Sequence, residues 1–462
     1  MSAVGDLRAA LGPQVHERGS AGYRDRLGRV FFPAASRRHP SCVVTPRTVD
    51  DVATAMKVAT ATGARVTVRG GGLSSNCVAD DAVVLDLSAC LAGVRPDADR
   101  VVVEGGATMG TMLEALAPAG RVVPVGIVGH AGLGLATLGG VGYLTRSLGL
   151  TLDHLVEVEL VLPSGDVMSL SDRSVGEESD LWWAVRGGAP SVGVVTSAVL
   201  RTHELGAMWV DRAVVGIDAL ATYFRVAPEL PRDTTMGAVL GWSPLAPDAP
   251  VLFVYTACAS GQEAAIARAR AAASAVAGSA PLYRSETSGR YLAGLPEFAI
   301  PGDGGAEPDP VRLPRAGDGP RGSFFGKSVF TGPTLDAAVA GTLAERIRAA
   351  PTRACRIDFQ HTGGALADVD DTATAFRGRS GEWNVPLNAI WTESADDDAC
   401  RGWARETVRA LADHTLGVYG VEVRPGPDAE EEIAAAYGDN LPRLRALQQR
   451  HDPDGVLGVL RL

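Results

Sequence analysis

Two glycine-rich runs hold the residues best suited to bind a charged ligand. The first, "RGGGLSSN", covers Arg69 to Asn76 and ends a β-branched alternation, "VTVR". The second, "GIVGHAGLGLATLGGVG", runs from Gly126 to Gly142. Consecutive glycines are costly to order, so the triplet Gly70, Gly71 and Gly72 implies a sharp bend or a close backbone approach. Glycine turns that leave strands can aim several peptide N–H groups at one anion. Two such loops in the same half of the chain fit a diphosphate cofactor better than a single phosphate. A nicotinamide fingerprint does not account for them, since "GLGLAT" from Gly132 ends on Thr137 and no ribose-binding acid follows. No Walker A lysine pattern and no G-x-S-x-G elbow occurs. The plain alternative is that these glycines only make tight turns.

Acid–base chemistry has fewer candidates. In "GEWNVPLNAIW" a strand alternation puts Glu382, Asn384 and Asn388 on one face and Trp383, Val385, Leu387 and Trp391 on the other. Gln360 and His361, in "DFQHTGG", lie on opposite faces of a second strand, so only one points inward. Glu382 is the only carboxylate on its polar face. Partly desolvated, it would have a pKa raised toward neutrality and serve as general base, with His361 as the substitute. A solvated outer face is the competing reading.

The elements that position these residues read as follows. "SCVVT" and "ARVTVR" are strands flanking a helix that starts at Thr48, with Asp51 placed for a capping box and Gly63 placed to end it. Strands "AVVLDLS" and "DRVVVEGGA", the helix "GTMLEALAPAG" and a hairpin turning at Pro163, Ser164 and Gly165 follow. From about residue 205 long alanine-rich helices separate strands such as "PVLFVYTAC", which suggests an α+β second domain. "PEFAIPGDGGAEPDPVRLPRAGDGPRG" reads as a long surface loop, and the closing residues as an amphipathic helix and a turn.

A net charge of −11 argues against a nucleic-acid or anionic-membrane partner. Six scattered cysteines without Cys-x-x-Cys or paired-histidine spacing read as reduced thiols of a cytoplasmic protein, with no metal site. The apolar stretch Val122 to Leu144 is long enough to span a bilayer, but its glycines, Pro124 and His130 favour a buried loop system.

The order of these motifs, from "TPRTVDDVATAMKVA" through "RGGGLSSN", "PVGIVGHAGLGLATLGGVGYLTRSLGLTLDHL" and "SDLWWAVRGG" to "VGVVTSAVL", resembles the berberine-bridge-enzyme-like FAD oxidoreductases. These belong to the vanillyl-alcohol-oxidase/para-cresol-methylhydroxylase (PCMH-type) flavoproteins. The resemblance resumes at "GGALADV…TAFRGRSGEWN" and "YGDNLPRLRALQQRHDP". It implies an α+β fold: an FAD-binding domain of two α/β subdomains at residues 1–205 (core about 38–205), a substrate domain with an antiparallel sheet at 206–410, and a segment 411–462 returning to the FAD domain. It further implies that Arg69 to Asn76 hold the pyrophosphate, with Leu73, Ser74 and Ser75 among them. Gly126, Gly129, His130, Gly132, Gly139, Gly140 and Gly142 would follow the ring and ribityl chain, and Gly193 and Val194 the adenine or ring side. His130 and Tyr143 would stand beside the ring, Gln360, Asn384 and Asn388 would meet substrate, and Asp153 occupies a recurrent family position.

The chain also departs from that pattern. Leu73 stands where the family has a histidine bonded covalently to the flavin, and Ile127 and Val128 stand near the site of a second, cysteinyl bond. Cys77 fits neither attachment point and reads as a packed thiol. "LGGVGY", "GGAPSVG" with Pro190, and the tail "LGVLRL" shorten or replace other ring contacts. The expectation is non-covalent FAD in an oxidase that transfers hydride from a small or medium secondary metabolite to flavin N5, with dioxygen as reoxidant. A redox-neutral cyclase or isomerase and a non-catalytic metabolite-binding protein are the rivals. The sequence leaves the oligomeric state open.

Overall fold

The computed structural model describes residues 2–289, 291, 322–458 and 462. Nearly all of the stretch expected to be a long surface loop, and residues 459–461 of the tail, lie outside the described residues. The fold is α+β, as the motifs imply.

The first sheet has four strands in the order Val15–Glu17, Cys42–Val44, Val83–Asp86, Val66–Arg69. The last three run parallel, because the helix Val49–Thr62 carries the chain back between strands. Both halves of the capping box form: the Thr48 hydroxyl accepts from the Asp51 N–H and the Asp51 carboxylate accepts from the Thr48 N–H. Gly63 ends the helix in the left-handed region. Val52, Met56 and Ala59 are buried beneath it.

A second sheet of five antiparallel strands follows, in the order Val94–Asp97, Arg100–Glu104, Val194–Arg201, Leu155–Val161, Val167–Ser171. Its last pair is the hairpin expected around Pro163 to Gly165.

The third sheet has eight strands in the order Tyr283–Gly289, Met208–Gly216, Ala246–Cys258, Thr234–Ser243, Arg356–His361, Trp383–Trp391, Ser323–Thr331, Thr415–Val418, and is antiparallel throughout. One face packs Leu240, Leu252, Ile357, Trp383 and Leu387 against helices that include Leu343 and Trp403. Each such side chain contributes roughly 1.5–3 kcal/mol by leaving water. The opposite face joins, through Val210, Val214, Phe253, Tyr255 and Phe330, the core of the glycine-loop half. Strand parity therefore decides which side chains look at the glycine loops.

Thr415–Val418 is an edge strand of this large sheet, so the return of the chain to the first half begins after it. The helix Leu441–His451 then lays Leu444 on Gly188, and the Val66 N–H donates to the Val456 carbonyl at 2.7 Å. No described helix is long and apolar enough to cross a membrane.

Candidate functional site

The two glycine loops touch each other through their backbones. A Cβ on Gly132 would lie 2.6 Å from the Gly71 nitrogen, and one on Gly71 would collide with the His130 carbonyl. Gly71 and Gly132 are thus required for the loops to meet. On the far side, the Met109 and Gly110 N–H groups donate to the Ala131 and Gly129 carbonyls at 2.7 and 2.8 Å. Further along, Gly140 has φ +88 and no room for a side chain beside Thr151. Its N–H donates to the Tyr419 hydroxyl at 2.8 Å. Gly139 packs on the same phenol, while Gly126 packs on Leu135 and Gly142 on the Val125 carbonyl.

Among the described residues, nothing accepts from the peptide N–H groups of Gly71, Gly72, Leu73 and Ser74, nor from those of Ile127, Val128 and Gly129. Gly71, Gly72 and Gly129 are buried. Buried peptide donors are nearly always paired, so a run of them at facing loops calls for an external acceptor. A diphosphate-bearing cofactor fits that donor set.

Other members of the expected cradle have different work. The Arg69 guanidinium is buried and donates to Asp86 Oδ2 at 2.8 Å and to the Arg29 carbonyl at 3.0 Å. It ties the first sheet to the helix that precedes Arg29, which corrects its assignment to the cofactor. The Ser74 hydroxyl accepts from the Asn76 N–H, the Ser75 hydroxyl meets Arg424, and Asn76 Nδ2 donates to the Val423 carbonyl at 3.2 Å. These side chains hold the loop's shape, and its backbone is what remains free. Val194 points into the core with Val161 and Leu85, and Gly193 lies against the Val161 carbonyl, because both begin a central strand. At Val194 only the backbone is left to meet a ligand. Asp153 forms a two-point ion pair with Arg379, at 2.8 and 3.1 Å. Leu73 and Ile127 are half-buried and pack against one apolar cluster. Burial pushes the Cys77 thiol up to about 11, as suits a packed cysteine.

The large sheet presents a transverse row of side chains on the face toward these loops. Arg212 pairs with Ser285 on one neighbour and Tyr255 on the other, and Tyr255 pairs with Gly237. One step along the register of the next pair of strands, Gln360 faces Gly237, and Gln360 pairs with Asn384. The Tyr255 phenol lies across Gly237, where any Cβ would strike its hydroxyl. The amides are oriented in relay: Ser328 Oγ donates to Asn384 Oδ1 at 2.6 Å, and Asn384 Nδ2 donates to Gln360 Oε1 at 2.7 Å. Gln360 Nε2 is left available. Further along the same face, Asn388 Nδ2 donates to Asp358 Oδ2 at 2.9 Å. Asp358 is buried, which pushes its carboxyl up, and its Oδ1 has no hydrogen-bond partner although Arg356 Nε is 3.3 Å away.

Glu382 is placed otherwise than expected. It lies one residue before the strand Trp383–Trp391 and does not join Asn384 and Asn388. Its Oε1 accepts from Arg146 at 2.7 Å and from His361 at 2.8 Å. His361 Nδ1 accepts from the Met236 N–H at 3.1 Å, so Nε2 carries the proton that Glu382 receives. Burial holds the His361 imidazole down at about 4. Burial alone would raise Glu382, but the hydrogen bond from His361 and the charge of Arg146 outweigh it and lower the carboxyl. A carboxylate so held is a poor base, which corrects both its raised pKa and its catalytic assignment. His361 stacks on Trp383 at 4.6 Å, on the helix-covered face, and does not replace it.

Tyr143 is buried edge-on against Tyr255 at 5.1 Å and near Tyr291 at 6.4 Å, a wall between loop and sheet. His130 is buried below Phe31, whose N–H donates to the Gly72 carbonyl. Sequence reasoning missed Arg212, Tyr255, Asp358 and Ser328. The available signal was an arginine inside an apolar strand alternation, Val210-x-Arg212-x-Val214.

A model of the FAD binding domain matches residues 40–171. An FAD-linked oxidoreductase of Dictyostelium discoideum is 25% identical over 431 residues, covering 90% of this chain and 86% of the relative. The aclacinomycin-N/aclacinomycin-A oxidase of Streptomyces galilaeus is 28% identical, covering 98% and 93%. Among solved structures, Physcomitrella patens BBE-like 1 superposes with a TM-score of 0.84 at 22% identity, over 98% of this chain and 97% of that one.

Proposed function

We propose that this chain, which has an FAD binding domain at residues 40–171 and the berberine-bridge-enzyme-like fold, is an FAD-dependent oxidoreductase that holds FAD without a covalent bond and oxidises a small or medium secondary metabolite at a carbon bearing a hydroxyl or amine. The carrying observation is the set of unpartnered peptide N–H groups on two facing loops, set opposite a polar row on the large sheet. When bound, FAD supplies the two-electron acceptor for the substrate C–H bond, with dioxygen as the reoxidant of an oxidase.

The chain's own residues do the rest. Backbone donors from Gly71 to Ser74 hold the diphosphate. Leu73 and Ile127 have no nucleophilic atom, so they offer packing and no attachment. Gln360, oriented by Asn384 and Ser328, presents an amide donor to substrate. Tyr143 and His130 complete the wall and exclude water. Asp358 takes the place of Glu382 as proton acceptor: Asn388 fixes one oxygen, the other makes no hydrogen bond although Arg356 is 3.3 Å away, and burial outweighs that charge and raises the carboxyl.

Acid denaturation of the yellow protein should release flavin into the supernatant; flavin that migrates with the chain on denaturing electrophoresis would overturn non-covalent binding. For substrates found by flavin bleaching, Asp358→Asn should slow reduction by roughly a hundred- to ten-thousand-fold and abolish the acid limb of the rate profile. Reduction within threefold of the parent removes Asp358 from the reaction.

A further inference from the structure

Among the buried arginines, Arg69 answers Asp86, Arg146 answers Glu382, and Arg379 answers Asp153. Arg212 answers nothing among the described residues. It is half-buried, it makes no ion pair or hydrogen bond among the described residues, and its Nε is enclosed without a partner. The Oγ of Ser285, its cross-strand partner on the same face, is likewise enclosed and unpartnered. A guanidinium offers five N–H donors in a fixed fork suited to a carboxylate or phosphate, and burying it unpaired is unfavourable.

We propose that Arg212 and Ser285 form an anion-binding subsite that takes a carboxylate, or a comparable anionic group, carried by the substrate. The inference rests on the reading of this sheet face as the substrate wall. The subsite opens beside Tyr255, on which Tyr143 stands edge-on, so the body attached to the anion is planar or aromatic. Arg212 and Gln360 are three strands apart, about 14 Å at the backbone for spacings of about 4.8 Å. The ligand is therefore long enough to place an anion at one end and a group hydrogen-bonded to an amide at the other.

The test uses the holoenzyme with sodium benzoate as probe and benzamide as its uncharged counterpart, followed by calorimetry and by the flavin spectrum. Benzoate should bind at least tenfold more tightly than benzamide. Arg212→Gln should lose at least tenfold in benzoate affinity and none for benzamide, Arg212→Lys should recover part of it, and Ser285→Ala should lose less. Flavin content and thermal transition of each variant, matched to the parent, confirm an intact fold. Absent benzoate binding, equal binding of the two probes, or unchanged affinity in Arg212→Gln overturns the subsite. The calorimetric signal does not depend on flavin, so protein lacking FAD would overturn the cofactor reading while leaving this one to be judged by benzoate.

Discussion

Two arginines cross the boundary between the glycine-loop half and the large sheet region, and they are treated in opposite ways. Arg146, just after the second loop, reaches into a closed knot: Glu382 and the carbonyls of Leu230, Thr234 and Thr362 all accept from it, with the His361 ring alongside. Arg212 looks back from the sheet and meets no acceptor among the described residues. Residue type does not distinguish them. What does is satisfaction: a polar group whose every valence is met inside the chain fastens the fold, and one left open in a shielded place is set for something from outside.

The largest expected effect tests the closed member. Glu382→Ala strands Arg146 beside a neutral histidine, and removing one partner of a buried pair costs roughly 3 kcal/mol. Denaturant midpoints should fall accordingly, with reduction of the bound flavin in the surviving folded protein within threefold of the parent. A large rate loss at unchanged midpoint would move Glu382 into the open class.

A smaller effect comes from acid. His361 and His154 are both held at about 4 by burial, below the ordinary 6.5. Between those values the unfolded chain binds protons that the folded chain refuses, so stability falls as the pH drops from about 6.5 to about 4. Each histidine contributes at most about 3 kcal/mol to that fall. Glu382, depressed by its partners, adds a loss as the pH goes below its ordinary range. Urea titrations across this window should show the decline, and His154→Gln, which removes the pair made with His203 at 2.9 Å, should flatten it. A parent curve level between pH 4 and 6.5 would mean that these rings are solvated.

The smallest effect tests the open member. Arg212→Leu exchanges an unpaired cation for an apolar side chain next to Val210 and Val214, so its midpoint should match or slightly exceed the parent's. A loss above about 1 kcal/mol would show that Arg212 already has a structural partner.

The sequence made the fastening elements near the chain's own neighbourhood readable. Thr48 and Asp51 are three residues apart, Pro163 to Gly165 form one turn, and the glycine triplet announces its own loop. Glu382 was misjudged because alternation describes a strand's interior, whereas Glu382 stands just outside it and is turned by Arg146, 236 positions earlier. Arg69 failed for the same reason, its acceptor being Asp86 on a parallel neighbour. Asn384 and Gln360 share a face as their parity indicated, but the direction of the relay depends on Ser328, which a different strand supplies. Pairing between distant segments is what one-dimensional periodicity cannot carry.

The clasp between the first glycine loop and the far end of the chain bears on the order in which the protein is made. Asn76 is held by Val423, a separation of 347 positions, and Ser75 by Arg424. The nascent loop therefore leaves the ribosome long before its fastening exists, and contacts of such separation close late. Until Val423 and Arg424 have been translated, Asn76 and Ser75 lack these partners, so the final shape of the first glycine loop belongs to the nearly finished chain.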